Sequence, residues 1–153
     1  MPISTLGPNA LASSSVTRPK IGYAGAVLQV VSTVYTGASG TTSSSVTATG
    51  RFVNITPTSS SSKIFVIISG TVYKEGGAGR FYMYRNGSTQ LLLNQMGANL
   101  TFYTPAAFSY LDSPATTSSV RYEIYMSNDS GAQIYFPPGS GDVVTCTAME
   151  IAG

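Results

Sequence analysis

The groups in this chain that could make or break bonds are few. It carries six carboxylates, one thiol and no histidine in 153 residues. Without an imidazole, Ser-His-Asp and Cys-His catalysis and the commonest zinc sites fall away. Two carboxylates could still hydrolyse a glycoside if they stood about 5–10 Å apart. Asp112 and Asp129 are the pair to consider, both expected in loops. Asp112, ahead of Ser113 and Pro114, reads more simply as a turn residue accepting backbone hydrogen bonds. Gly76-Gly77-Ala78-Gly79 is followed by neither Lys-Ser/Thr nor a helix pattern, so it is not a phosphate loop. No acidic cluster has calcium-loop spacing. The chain is read as non-enzymatic, with no cofactor and no metal.

Tyrosine is the informative residue, with ten copies and no Trp. Arg80 and Arg85 flank Phe81, Tyr82 and Tyr84, a pattern that could stack on nucleic acid. A strand with one core face and one aromatic outer face explains it more economically. If Phe81 and Met83 point into a core, Tyr82 and Tyr84 point away, and Tyr125 likewise opposes Tyr122. A tyrosine ring is flat and apolar with a polar tip, which suits subunit interfaces and sugar faces. Tyr82, Tyr84 and Tyr125 are therefore the candidate subunit interface or ligand contact, with the interface favoured.

The elements that must position these residues are strands. Residues 25–35 read as a strand with a mostly aliphatic face at Leu28, Val30 and Val34. A Gly/Ser/Thr loop at 36–45 leads to a second strand at 46–54 and a turn through Thr56-Pro57-Thr58. Residues 63–72 are apolar on both faces, the mark of a central strand or one at a subunit interface. Residues 80–85 form the next strand, and Asn86-Gly87 is the strongest hairpin signal, with 90–94 returning. The strand at 102–111 contains Pro105, which places it at an edge or a bulge. Residues 119–127 alternate cleanly, 133–136 are a short strand, and 142–151 are the last, with Val143, Met149 and Ile151 on one face. That strand is expected to be central in its sheet. Such spacing predicts an all-β, antiparallel, two-sheet, jelly-roll-like sandwich over residues 25–153.

Residues 1–24 have a different grammar. Ile3, Leu6, Leu11, Val16 and Ile21 fit neither a strand nor a helix period, and Arg18 and Lys20 lie among prolines and glycines. This segment reads as an extended N-terminal attachment arm. Its opening lacks the pattern of a secretory signal, and no apolar run in the chain approaches the roughly 20 residues that span a bilayer.

Only 9% of residues are charged, against roughly 25% in an ordinary domain. The difference is made up by 22 Ser, 18 Thr and 16 Gly, giving a polar but nearly uncharged surface. The eight basic residues form no stripe, which argues against a nucleic-acid partner. Cys146 is alone, so no intrachain disulfide exists, and its apolar surroundings suit a small buried residue.

Four blocks together resemble small tailed-bacteriophage tail-fibre and virion structural proteins. They are residues 25–31, residues 53–66 with their Ile-Thr-Pro turn and serine run, residues 110–117, and the closing Met149-Glu150-Ile151. The resemblance implies a homotrimeric jelly-roll head on the virion surface, made in the host cytoplasm without a signal peptide. Its partners would be tail or capsid proteins through residues 1–24 and a host-surface glycan or protein. The function implied is receptor binding by a fibre tip. The alternatives are a capsid decoration protein, suggested by the absence of a stalk, and a secreted lectin-like domain.

Overall fold

The computed structural model describes residues 24–97 and 101–153. The arm residues Ile3, Leu6, Leu11, Val16, Arg18, Lys20 and Ile21 lie outside them. The described residues form ten strands: β1 Val27–Thr36, β2 Gly40–Thr41, β3 Thr47–Ile55, β4 Lys63–Lys74, β5 Gly79–Arg85, β6 Thr89–Met96, β7 Phe102–Asp112, β8 Val120–Asn128, β9 Ile134–Tyr135 and β10 Val143–Ile151. The described residues contain no helix, and so none long and apolar enough to cross a membrane.

Every pairing is antiparallel, and the strands form two sheets. One is β1-β10-β4-β7, with the short β9 and β2 joined to the end of β4; the other is β3-β8-β5-β6. The pairs β1/β10, β3/β8, β4/β7 and β5/β6 are nested about a common midpoint at the Asn86-Gly87 turn. The chain is thus one long hairpin rolled into two layers, the jelly-roll topology. The turn at its tip has φ of 52° at Asn86 and 70° at Gly87. Positive φ at both central residues suits the right-handed twist of the flanking strands, which is why Asn-Gly is found there.

The core lies between the layers. Ile64, Val66 and Ile68 of β4 and Val144, Cys146 and Ala148 of β10 meet Phe81, Met83, Tyr122, Ile124 and Met126 from the other sheet. Phe81, Phe108 and Phe136 stack at its centre, with centroids 5.3, 5.6 and 6.1 Å apart. β10 is central as expected, and β7, carrying Pro105, is an edge strand.

Two apolar faces named from the sequence turn outward. In β1 the aliphatic face is the outer one: Val30 and Val34 are 57% and 60% exposed, while Val31 and Tyr35 pack on the core. A bulge between Val27 and Gln29 puts Leu28 out of step with Val30, and valines stand on both faces, so alternation could not choose. In β10 the inward face carries the small residues Cys146 and Ala148, whereas Val143 is exposed.

Cys146 is fully buried, and burial pushes its thiol up to about 12. The native protein is therefore expected to resist iodoacetamide at about pH 8 and to be alkylated fully once unfolded. Mass spectrometry with and without denaturant reads this directly; rapid labelling of the native chain would contradict the burial.

Candidate functional site

The alternation in β5 and β8 brings Tyr82, Tyr84 and Tyr125 together on the outer face of the β3-β8-β5-β6 sheet. Tyr82 stands directly opposite Tyr125 in register. The Tyr84 ring lies 4.7 Å from that of Tyr125 and 6.2 Å from that of Tyr82. Tyr82 is only 8% exposed and its phenol meets Ser127 Oγ at 3.3 Å, so Tyr84 and Tyr125 supply most of the open aromatic surface.

Beside this cluster is an open hollow of about 320 Å³, lined by Ala48, Asn86, Gly87, Arg121, Glu123 and Tyr125. Its polar groups are held from behind. The Glu123 carboxylate accepts from Gly50 N at 2.9 Å and from Arg121 Nε at 2.9 Å, with Arg121 Nη2 2.7 Å away. The Arg121 guanidinium lies flat on Phe52, 3.6 Å from the ring centroid. The Asn86 side-chain Oδ1 accepts from Arg121 N at 2.9 Å, which ties the hairpin tip to β8. Burial, and then the neighbouring Glu123, raise the Tyr125 phenol above its ordinary value. The cation and the carboxylate neutralise each other, and no second acid lines the hollow.

Asp112 and Asp129 do not meet. Asp112 lies beside Arg85, and Arg85 pairs with Tyr122 near the start of β8; Asp129 follows the far end of that strand and bonds Arg80. Nine residues of strand separate those ends, roughly 27 Å. Asp112 is also not a turn residue. It closes β7, is 6% exposed, and accepts from the side chains of Arg85 and Tyr122.

Sequence reasoning passed over the outer face of the other sheet. There Val30, Met149, Phe65 and Leu111 form one cross-strand row over β1, β10, β4 and β7. Nearer the far end Tyr103, Tyr73 and Tyr135 form another, with rings 4.5 and 5.9 Å apart. Six of the eight exposed large hydrophobic residues, Val27, Val30, Val34, Tyr103, Leu111 and Val143, belong to this sheet. Tyr73 donates to Glu75 at 2.6 Å, and that bond raises its phenol to about 12. The one signal available in advance was the two-sided apolarity of residues 63–72.

No family model matches the sequence, and no curated protein matches it. Among solved structures the chain is similar to one in the structure of infectious bursal disease virus Gt strain. The identity is 14% and the TM-score 0.28, over 98% of this chain and 44% of that one. The chain thus spans less than half the length of that neighbour.

Proposed function

We propose that the chain is a structural subunit of a bacteriophage particle, the head domain of a tail fibre that assembles as a homotrimer and recognises the host surface. Residues 1–24 attach it to the tail. The observation that carries this reading is the outer face of the β1-β10-β4-β7 sheet. It gathers the exposed Val27, Val30, Val34, Tyr103, Leu111 and Val143 on one sheet, among outward Ser and Thr, and such a concentration of exposed apolar side chains marks interaction surfaces. Across its Val30, Ser32 and Val34 registers, the face has no charge on any of the four strands. A neutral face can pack against a copy of itself without placing like charges together. The number three comes from the sequence blocks that resemble trimeric fibre heads.

The described chain enters the fold where it ends: Gly25 N donates to Ala152 O, and Ala152 N to Ala26 O, both at 2.8 Å. An attachment segment on this side leaves the opposite loops free, as suits a head on a support. A capsid decoration protein would use the same apolar face. Immunogold labelling of particles separates the two, since a fibre tip marks the tail and a decoration protein marks the whole capsid.

The purified protein is expected to sediment as a trimer and to block adsorption of particles to susceptible cells. Val34→Glu places a charge on the exposed face without touching the core. It is expected to raise the dissociation constant at least about a hundredfold, close to 3 kcal/mol. A wild-type monomer at micromolar concentration, or an unaffected variant, would overturn the assembly.

A further inference from the structure

The hollow beside Tyr125 presents polar groups with bonding capacity left, and their chemistry points to one class of ligand. The Asn86 side-chain Nδ2, the Tyr125 phenol and Arg121 Nη1 have no hydrogen-bond partner among the described residues, and all three residues line the hollow. All three groups are donors, or can be. The Glu123 carboxylate has lone pairs left to accept from a hydroxyl. The Tyr125 ring, backed by Tyr84 at 4.7 Å, offers a flat apolar wall.

We propose that this hollow binds one neutral sugar residue of a host-surface glycan, its C–H face on Tyr125 and its hydroxyls shared among Asn86, Arg121 and Glu123. The inference rests on the recognition role proposed above. A pyranose has the matching pattern, an apolar face ringed by hydroxyls that both donate and accept. Its size also fits a space of about 320 Å³.

Charge decides against the competitors. Arg121 is paired with Glu123, so the hollow has no spare cation for a phosphate or an acidic sugar, and the carboxylate repels both. The site is also preorganised. Arg121 is clamped between Phe52 and Glu123, so little side-chain freedom is lost on binding. Gly87 keeps the approach open, since a Cβ there would sit 3.2 Å from the Tyr125 phenol oxygen. The hollow lies on the sheet opposite the assembly face, so assembly leaves it accessible.

The test is a titration of the isotopically labelled full chain, followed by amide chemical shifts, with galactose, glucose, mannose and N-acetylglucosamine. N-acetylneuraminic acid is the charged comparison. At least one neutral sugar is expected to shift the Gly87 and Tyr125 amides saturably, with a dissociation constant of about 1 mM. Tyr125→Ala is expected to weaken that binding at least about tenfold. Asn86→Asp keeps the turn and the acceptor to Arg121 N but removes the donor, and is expected to weaken it about threefold. The proposal is overturned if no neutral sugar gives saturable shifts, if the acidic sugar binds more tightly, or if Tyr125→Ala binds as wild type. It is overturned equally if Tyr125→Ala changes the sedimentation of the protein, because Tyr125 then lies in a subunit contact. Sugar binding can fail while the trimer still blocks adsorption; the hollow is then wrong and the fibre reading stands. If adsorption is not blocked either, both fall.

Discussion

Asp112→Ala is expected to lower the unfolding free energy by about 3–4 kcal/mol, a large share of the 5–15 kcal/mol typical of a domain. Asp112 ends β7 in one sheet, while Arg85 of β5 and Tyr122 of β8 belong to the other. Its carboxylate takes Arg85 Nη1 at 3.0 and 2.9 Å and the Tyr122 phenol at 2.8 Å, so it pins the two layers together at the hairpin end. Tyr122 is fully buried, and burial and then the bond to Asp112 both raise its phenol, which stays neutral and needs an acceptor. Removing the carboxylate strands that hydroxyl and leaves Arg85, 24% exposed, without its partner. The cost of a stranded donor adds to that of a half-buried charge. Asp112→Asn keeps an acceptor and is expected to cost about 1–2 kcal/mol, and Tyr122→Phe, which removes the donor, about 1 kcal/mol. Urea melts measure all three. An alanine variant as stable as the asparagine one would show that the carboxylate holds nothing.

Glu150→Ala is expected to cost about 3 kcal/mol at neutral pH, and Glu150→Gln to remove much of the acid sensitivity of the fold. The Glu150 side chain is fully buried. It accepts from Gln29 Nε2 at 2.6 Å, Thr58 N at 2.7 Å and Thr58 Oγ1 at 2.8 Å. Burial alone would raise its pKa. The nearby Ser62 hydroxyl, then Gln29 and Thr58, outweigh it, and the group is held below the ordinary glutamate value of 4.5. A carboxylate with a depressed pKa binds fewer protons folded than unfolded. Its stabilisation is therefore complete above the unfolded value and drains away as pH falls from there through the folded one. Melting the wild type and Glu150→Gln from neutral pH down into the acid range reads the effect: the wild-type curve falls more steeply below 4.5. Parallel curves would mean that the clamp carries no proton linkage.

Glu150 also joins three of the sequence blocks singled out above. Gln29 lies in the block at 25–31, Thr58 in the Ile-Thr-Pro block and Glu150 in the closing one; the structure brings all three to one carboxylate. Asp112, in the block at 110–117, is the second clamp. These blocks carry fastenings of the roll, and the groups lining the hollow lie outside them.

The strands themselves were legible because period-two alternation and Gly, Pro and Asn-Gly punctuation act locally. The position of β10, the edge character of β7, the burial of Cys146 and the outward turn of Tyr84 and Tyr125 all follow from such signals. What stayed hidden depends on partners distant in the chain. Asp112 looked like a turn residue because Arg85 and Tyr122 reach it only when the two sheets close. The sequence showed an aliphatic side of β1 without its direction; Val30 joins an outer-face row with Met149, Phe65 and Leu111, set by register across four strands.

The sequence by itself determined the strand class, the turn positions and the near absence of catalytic groups, since each depends on residue type and short-range spacing; the nesting of the strand pairs joins residues as far apart as Val27 and Ile151. Which face of each sheet meets water, and which donors gather around one hollow, was decided only by tertiary structure. A neutral strand with apolar residues on both sides has no local preference, and the choice falls to whichever face the opposing layer covers.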